Sequence, residues 1–208
     1  MALVLRDMLG VAKTRSEVRA VLSQGGVMVD GNIQREELFP TGLMDVISIP
    51  AANKQYRVLS SEKGLTLNAI NKDEAGFKLC RVEDKTALNG GNVQLNLHDG
   101  RNIRITVKDA SKPEEDVFST SDTVKISLPQ QEIAAHFKLA EGASALIVGG
   151  KNIGKYGKIE ALERREAQKR RKALVTIEDA RGNRFQTTAE YVFVVGDAKP
   201  QISLPEAA

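Results

Sequence analysis

Lys151-Asn152-Ile153-Gly154-Lys155-Tyr156-Gly157-Lys158-Ile159 follows the apolar run Ala145-Leu146-Ile147-Val148 and the pair Gly149-Gly150. Three lysines therefore sit among four glycines, between two strand-like segments. Glycine opens backbone geometries closed to other residues and lets the chain approach a partner closely. Lysine supplies charge that can neutralise phosphate. The combination predicts a basic, glycine-rich loop on a small β-barrel, and it points to RNA. A solvated hairpin would have the same composition.

Short apolar runs continue beyond the loop at Lys158–Leu162, Ala173–Ile177, Arg184–Thr188 and Tyr191–Val195, with a turn at Asp179–Asn183. Short strands this close together predict a small SH3-like barrel. Between the first two of these runs lies a charged insertion, Glu163–Lys172, with Arg164, Arg165, Lys169, Arg170, Arg171 and Lys172. Charge of this density favours a polyanionic partner. The spacing of Lys151, Asn152, Lys155 and Lys158 among the glycines resembles the KOW motif of ribosomal proteins and transcription factors.

At the other end, Leu5, Met8, Leu9 and Ala12 fall on one face of a helix. Thr14-Arg15-Ser16-Glu17 has the form of a capping box, and Val18, Val21 and Leu22 give the next apolar face. Gly25-Gly26 stops that helix, and Asp30-Gly31 suits a tight hairpin turn. Arg15 and Arg19, four residues apart, share a face away from the apolar one. The run from Lys13 to Gly31 resembles the α-L RNA-binding motif. That resemblance implies that Arg15, Ser16 and Arg19 face RNA phosphates, with the hairpin from Asn32 to Arg35 alongside.

The middle of the chain reads as strands. The clearest hairpin is Val93–His98, Asp99-Gly100, then Arg101–Val107. Arg101 and Arg104 are expected near its exposed side, able to touch phosphate or simply to solubilise. Asp84, Asp99 and Asp109 read as turn or loop residues, and His98 as an ordinary surface histidine. Val124, Ile126 and Leu128 alternate in a further strand that ends at Pro129.

Aromatics make up 4% of the 208 residues and tryptophan is absent, which argues against large base-stacking platforms. The net charge of +3 is unevenly spread. Residues 1–49 carry five basic and six acidic side chains, whereas Lys151–Lys172 carries nine and three. The polyanion-binding surface is thus expected in the C-terminal third. Cys80 is the only cysteine, so an internal disulfide and a cysteine zinc site are excluded, and it reads as a buried strand thiol. No metal or cofactor is expected. Met1–Gly10 is short and broken by Arg6-Asp7, neither signal peptide nor membrane span, so a cytoplasmic protein is expected.

The order of these units resembles the archaeal and eukaryotic small-subunit ribosomal protein family S-four-e. Phe39–Pro50, with Gly42-Leu43-Met44-Asp45-Val46-Ile47 inside it, carries much of the likeness, which runs from about Leu3 to Leu204. It implies an α+β protein: an α-L domain over 1–49, a central β-rich domain over 50–138, a KOW-bearing SH3-like barrel over 139–200 and a tail over 201–208. It also implies a structural, non-catalytic ribosomal component, monomeric outside the ribosome. Its partners would be small-subunit ribosomal RNA and neighbouring ribosomal proteins. Family members usually begin with a basic extension, so a short form or a trimmed one is expected here.

Two other readings compete. An RNA-modification enzyme with an appended α-L motif needs a catalytic constellation that residues 50–138 do not display. Gly149-Gly150 and Gly154 precede a strand rather than a helix, unlike a dinucleotide site. A protein-binding SH3-like module needs more aromatics than Tyr156, Phe185, Tyr191 and Phe193.

Overall fold

The computed structural model describes residues 1–108, 114–163 and 172–205. Antiparallel sheet dominates, and each of three sheets has five strands. Among the described residues no helix is long and apolar enough to cross a membrane.

The first helix is shorter than its sequence pattern suggests. Val4–Met8 is a π-helical turn, with Leu9 N–H donating to Val4 O. Gly10, at φ +62°, ends it, so the expected apolar face breaks up. Leu5 and Ala12 are buried, but Met8 is 44% exposed. Helix α1 (Arg15–Ser23) matches its capping signal. Thr14 accepts from Glu17 N–H at 3.2 Å, and Glu17 reaches back to Lys13 N–H at 2.8 Å, one residue earlier than in the usual box. Val18 and Leu22 are fully buried beneath it.

Strands β1 (Met28–Val29) and β2 (Asn32–Ile33) flank Asp30 and Gly31, both at positive φ as a type I′ turn requires. Next come β3 (Val46–Ile49), β4 (Lys54–Ser61) and β5 (Gly64–Ile70). The sheet order is β2-β1-β3-β4-β5. The β3–β4 ladder pairs Val46 with Arg57 through Ile49 with Lys54, so the first sheet runs on to Ile70.

A four-residue helix, α2 (Lys72–Ala75), leads to β6 (Phe77–Ala87). Strands β7 (Val93–Leu97) and β8 (Asn102–Ile105) form the expected hairpin. With β9 (Thr123–Ser127) and β10 (Ile133–Phe137) the second sheet has the order β10-β9-β6-β7-β8. Its central strand β6 carries a register shift between Val82 and Asp84. Phe77–Arg81 pair with β9 and Val82–Ala87 with β7, and the shift inside the second ladder bends the strand as a bulge does. Asp84 is therefore a strand residue rather than a turn residue.

The third sheet holds β11 (Ser144–Ile147), β12 (Tyr156–Glu163), β13 (Leu174–Glu178), β14 (Arg184–Thr188) and β15 (Val192–Gly196). Its order is β14-β13-β12-β11-β15. The largest apolar core joins this sheet to Met44 and Leu59 of the first and Leu79 and Phe137 of the second. Polar bonds tie the same seams. Ser60 Oγ donates to Ile147 O at 3.3 Å, and Arg81 Nη1 to Glu190 O at 2.8 Å. The C-terminal segment also returns to the body: Ile202 is buried, and Ser203 Oγ donates to Glu74 at 2.7 Å.

Candidate nucleic-acid interface

Lys13, Arg15, Ser16 and Arg19 are all exposed on or beside α1. Val18 and Leu22, each three residues on from an arginine, form the adjoining buried stripe, so Arg15 and Arg19 border it with their guanidiniums outward rather than lying opposite it. The two arginines converge on one acid that the sequence pattern does not announce. Arg15 makes a two-point contact with Glu37 at 2.8 and 2.6 Å, and Arg19 Nη2 adds a third bond at 2.6 Å. Those hydrogen bonds, Arg15 first, hold the Glu37 carboxyl at about 2, far below the usual carboxylate range. The face thus carries two guanidiniums around one carboxylate, a net positive site whose donors are already pre-oriented for an oxyanion. Asn32 and Arg35 are exposed on the neighbouring hairpin.

The structure divides the pair expected on the β7–β8 hairpin. Arg104 is exposed on β8, as expected. Arg101 is not a free phosphate ligand. Its Nη2 donates to Asp30 at 2.6 Å, and its Nε lies 3.3 Å from Asp99. Arg101 belongs to a buried cluster around Lys78, whose ammonium touches Asp30, Asp45 and Asp99. Burial alone would lower the Lys78 pKa, but three carboxylates overcome that and raise it. A sequence signal for this was present. Lys78 is in phase with Cys80 and Val82, the inward side of β6.

His98, expected at the surface, is held inside the same seam. Its Nδ1 accepts from Arg81 N–H at 3.2 Å, so its Nε2 donates to Leu43 O at 3.2 Å. Burial, the largest influence, lowers its pKa and keeps the ring neutral. Cys80, His98 and Asp99 bring three potential metal-ligating atoms within 4.8 Å of one another. Each is committed to protein partners. The thiol donates to Asp99 at 3.6 Å, and burial pushes its pKa well above the usual thiol range. The positive charge that a cation would bring is supplied by Lys78.

In the glycine-rich loop, Lys151 and Lys158 are exposed, while Asn152 and Lys155 are half-buried. Lys155 Nζ lies 4.2 Å from the centre of the Phe185 ring. The glycines serve protein packing. A Cβ on Gly149 would lie 2.5 Å from the Tyr191 ring. One on Gly154 would lie 2.8 Å from Ser61 Cα, and one on Gly157 2.1 Å from Glu178 O. The loop is thereby fixed between β13 and the tip of the β4–β5 hairpin, with its lysines at the rim. Lys172 is exposed beyond it. Arg164, Arg165, Lys169, Arg170 and Arg171 lie outside the described residues, as does Asp109.

Residues 52–133 match the model of ribosomal family S4e. Small ribosomal subunit protein eS4 of Desulfurococcus amylolyticus is 45% identical over 207 residues, 99% of this chain and 81% of that one. The protein of the same name from Aeropyrum pernix is 47% identical over the same shares. The chain belongs to ribosomal family S4e. The crystal structure of 30S ribosomal protein S4e from Thermoplasma acidophilum superposes with a TM-score of 0.77 at 30% identity. That match covers 95% of this chain and 94% of the other, so the two share their overall fold.

Proposed function

We propose that this chain is a structural component of the small ribosomal subunit that binds ribosomal RNA and performs no catalytic step. Membership of the S4e family carries the reading, since relatives alike over nearly the whole chain bear the name of a small-subunit protein. In this reading residues 1–49 act as an α-L motif and residues 139–200 as a KOW-bearing, SH3-like unit. Lys13, Arg15, Ser16, Arg19, Asn32, Arg35, Arg104, Lys151, Asn152, Lys155, Lys158 and the cations of residues 164–172 contact phosphate. Arg101 is left out, because its guanidinium holds the fold together.

Phosphate contacts fix position more than sequence, so recognition rests on RNA shape. The protein works in the cytoplasm, on the ribosome, beside neighbouring ribosomal proteins, and is monomeric when free. Filter binding of the full chain to a small-subunit ribosomal RNA transcript, over a range of salt, tests the proposal. Replacing Arg15 and Arg19 together with alanine should weaken binding and reduce the salt slope by about 1–2. An unchanged slope would leave α1 as a solvated face, and turnover of RNA abolished by a point change would overturn the structural role.

A further inference from the structure

A cleft of about 500 Å³ opens where the tip of the β4–β5 hairpin meets the glycine-rich loop and the β13–β14 turn. That volume lies within the roughly 300–1,000 Å³ range of sites that enclose small ligands. Its wall carries two of the chain's nine Phe and Tyr residues, Tyr156 and Phe185, both half-buried. Lys63 and Arg181 stand exposed at the rim, and Lys155 arches over the Phe185 ring. Asn183 stands beside them; its Nδ2 donates to Asp179 at 2.9 Å, which leaves the amide oxygen as an acceptor.

We propose that this cleft seats a single unstacked nucleotide of the bound RNA. The proposal rests on the RNA-binding reading above and adds a position to it. Unpaired bases in folded RNA are recognised by stacking on aromatic rings with cations at the sugar–phosphate, and this cleft pairs those two features. The scarcity of aromatics elsewhere fits one seat rather than a platform for a strand. The Lys155 ammonium caps the Phe185 face while no base is present. On entry of a base it swings to the phosphate, because its stem is long and flexible. The seat needs parts of two sheets. Gly154 lies against Ser61 and Glu62 too closely for any side chain, so the contact holds both walls in place.

Ultraviolet crosslinking of the full chain to a small-subunit ribosomal RNA transcript, followed by nuclease digestion and peptide mass spectrometry, tests the seat. One nucleotide should be found attached to the Tyr156 or Phe185 peptide. Phe185→Leu should reduce that adduct by about 5- to 150-fold, the usual span for loss of one stacking ring. Total RNA affinity should fall far less. Because Phe185 also packs on the core, the exposed pair Lys63→Ala/Arg181→Ala is the second variant, and it should weaken the adduct without touching the ring. Millimolar AMP present during irradiation should not lower the adduct yield.

RNA bound normally, with no adduct on either peptide, would overturn the seat and leave the RNA-binding reading intact. Loss of the adduct when AMP is present during irradiation, with RNA affinity unchanged, would make it a free-nucleotide site and overturn the proposal. So would a cleft occupied by a peptide of a neighbouring protein in intact subunits. Absence of any RNA binding would overturn both readings together.

Discussion

Lys78 Nζ lies 2.9 Å from Asp30 Oδ2, and this bond joins the central strand of the second sheet to the first hairpin of the first. Asp30 also accepts from Val46 N–H at 2.9 Å and from Arg101 at 2.6 Å. Asp45 and Asp99 complete the shell around the same ammonium. A buried charge is tolerable only when paired, and Lys78 touches all three carboxylates, whereas Arg101 reaches only Asp30 and Asp99.

Lys78→Met should therefore cost about 3–5 kcal/mol, because three carboxylates lose their central cation. The pH dependence has a definite sign. Lys78 is raised on folding, so its contribution is complete below the unfolded lysine value of about 10.4 and is lost only as pH climbs through the higher folded value. Burial would raise Asp99, but the Lys78 charge outweighs it and holds that carboxyl below its usual range. Its contribution is present above the unfolded value of about 3.9 and fades as pH falls through the folded one. In the Met variant the stranded carboxylates take up protons in acid, so the deficit should be smaller at pH 4 than at pH 7. Urea midpoints at both values check this. A variant as stable as the parent at pH 7 would remove the cluster from the account.

Gly157→Ala should destabilise the fold by about 1–3 kcal/mol or more, since the new methyl would meet the Glu178 backbone at 2.1 Å. Glu178, the last residue of β13, is paired with Lys158 on one side and Arg184 on the other, so its backbone has little room to move aside. Gly42→Ala is the control: nothing lies within 4 Å of the added atom, and stability should stay within about 0.5 kcal/mol. Thermal melts of both variants separate a glycine kept for packing from one that is only permissive.

Lys151→Ala, Lys155→Ala and Lys158→Ala combined should lower the salt slope of RNA binding by about 2–3, close to one for each lost phosphate contact. Stability should change little, because Lys151 and Lys158 are exposed and Lys155 gives up only its contact with Phe185. Isothermal titration at three salt concentrations reads both the slope and the affinity. A flat response would make the loop a structural hairpin.

Strand by strand, much of this fold was legible. Alternation at Val93–Leu97 and Asn102–Ile105, the Asp30-Gly31 turn and the Thr14 cap all report local chemistry, and each formed where its residues indicate. What the sequence hid is pairing across distance. Glu37 sits 22 residues from Arg15, and Asp30 sits 48 from Lys78, so no local pattern ties them. Arg101 and His98 read as surface groups because a hairpin tip is usually exposed. Here the tip is capped by another sheet, and both side chains turn inward. The glycines of the loop suggested close approach, and the structure shows the protein segments they approach: Tyr191, Ser61 and Glu178.

Glu37→Gln should strengthen RNA binding. In the free protein Arg15 and Arg19 share the Glu37 carboxylate, so an RNA phosphate must compete for the same donors. Removing the charge removes the competitor and keeps a neutral group of similar shape. The affinity should rise roughly twofold to tenfold at moderate salt, a modest gain because the pairs are solvent-accessible and screened. The carboxyl itself gives an independent reading. Its folded value of about 2 means that the contact persists above the unfolded value of about 4.3 and is lost only as pH falls through about 2. In an Arg15→Ala/Arg19→Ala variant the Glu37 titration, followed by carbon NMR, should return towards the ordinary glutamate value. RNA bound at saturation should leave it there as well, since the phosphate would have taken both arginines. A Glu37 that stays near 2 in the RNA complex would show that the two guanidiniums never leave it, and that α1 meets RNA by some other side chain.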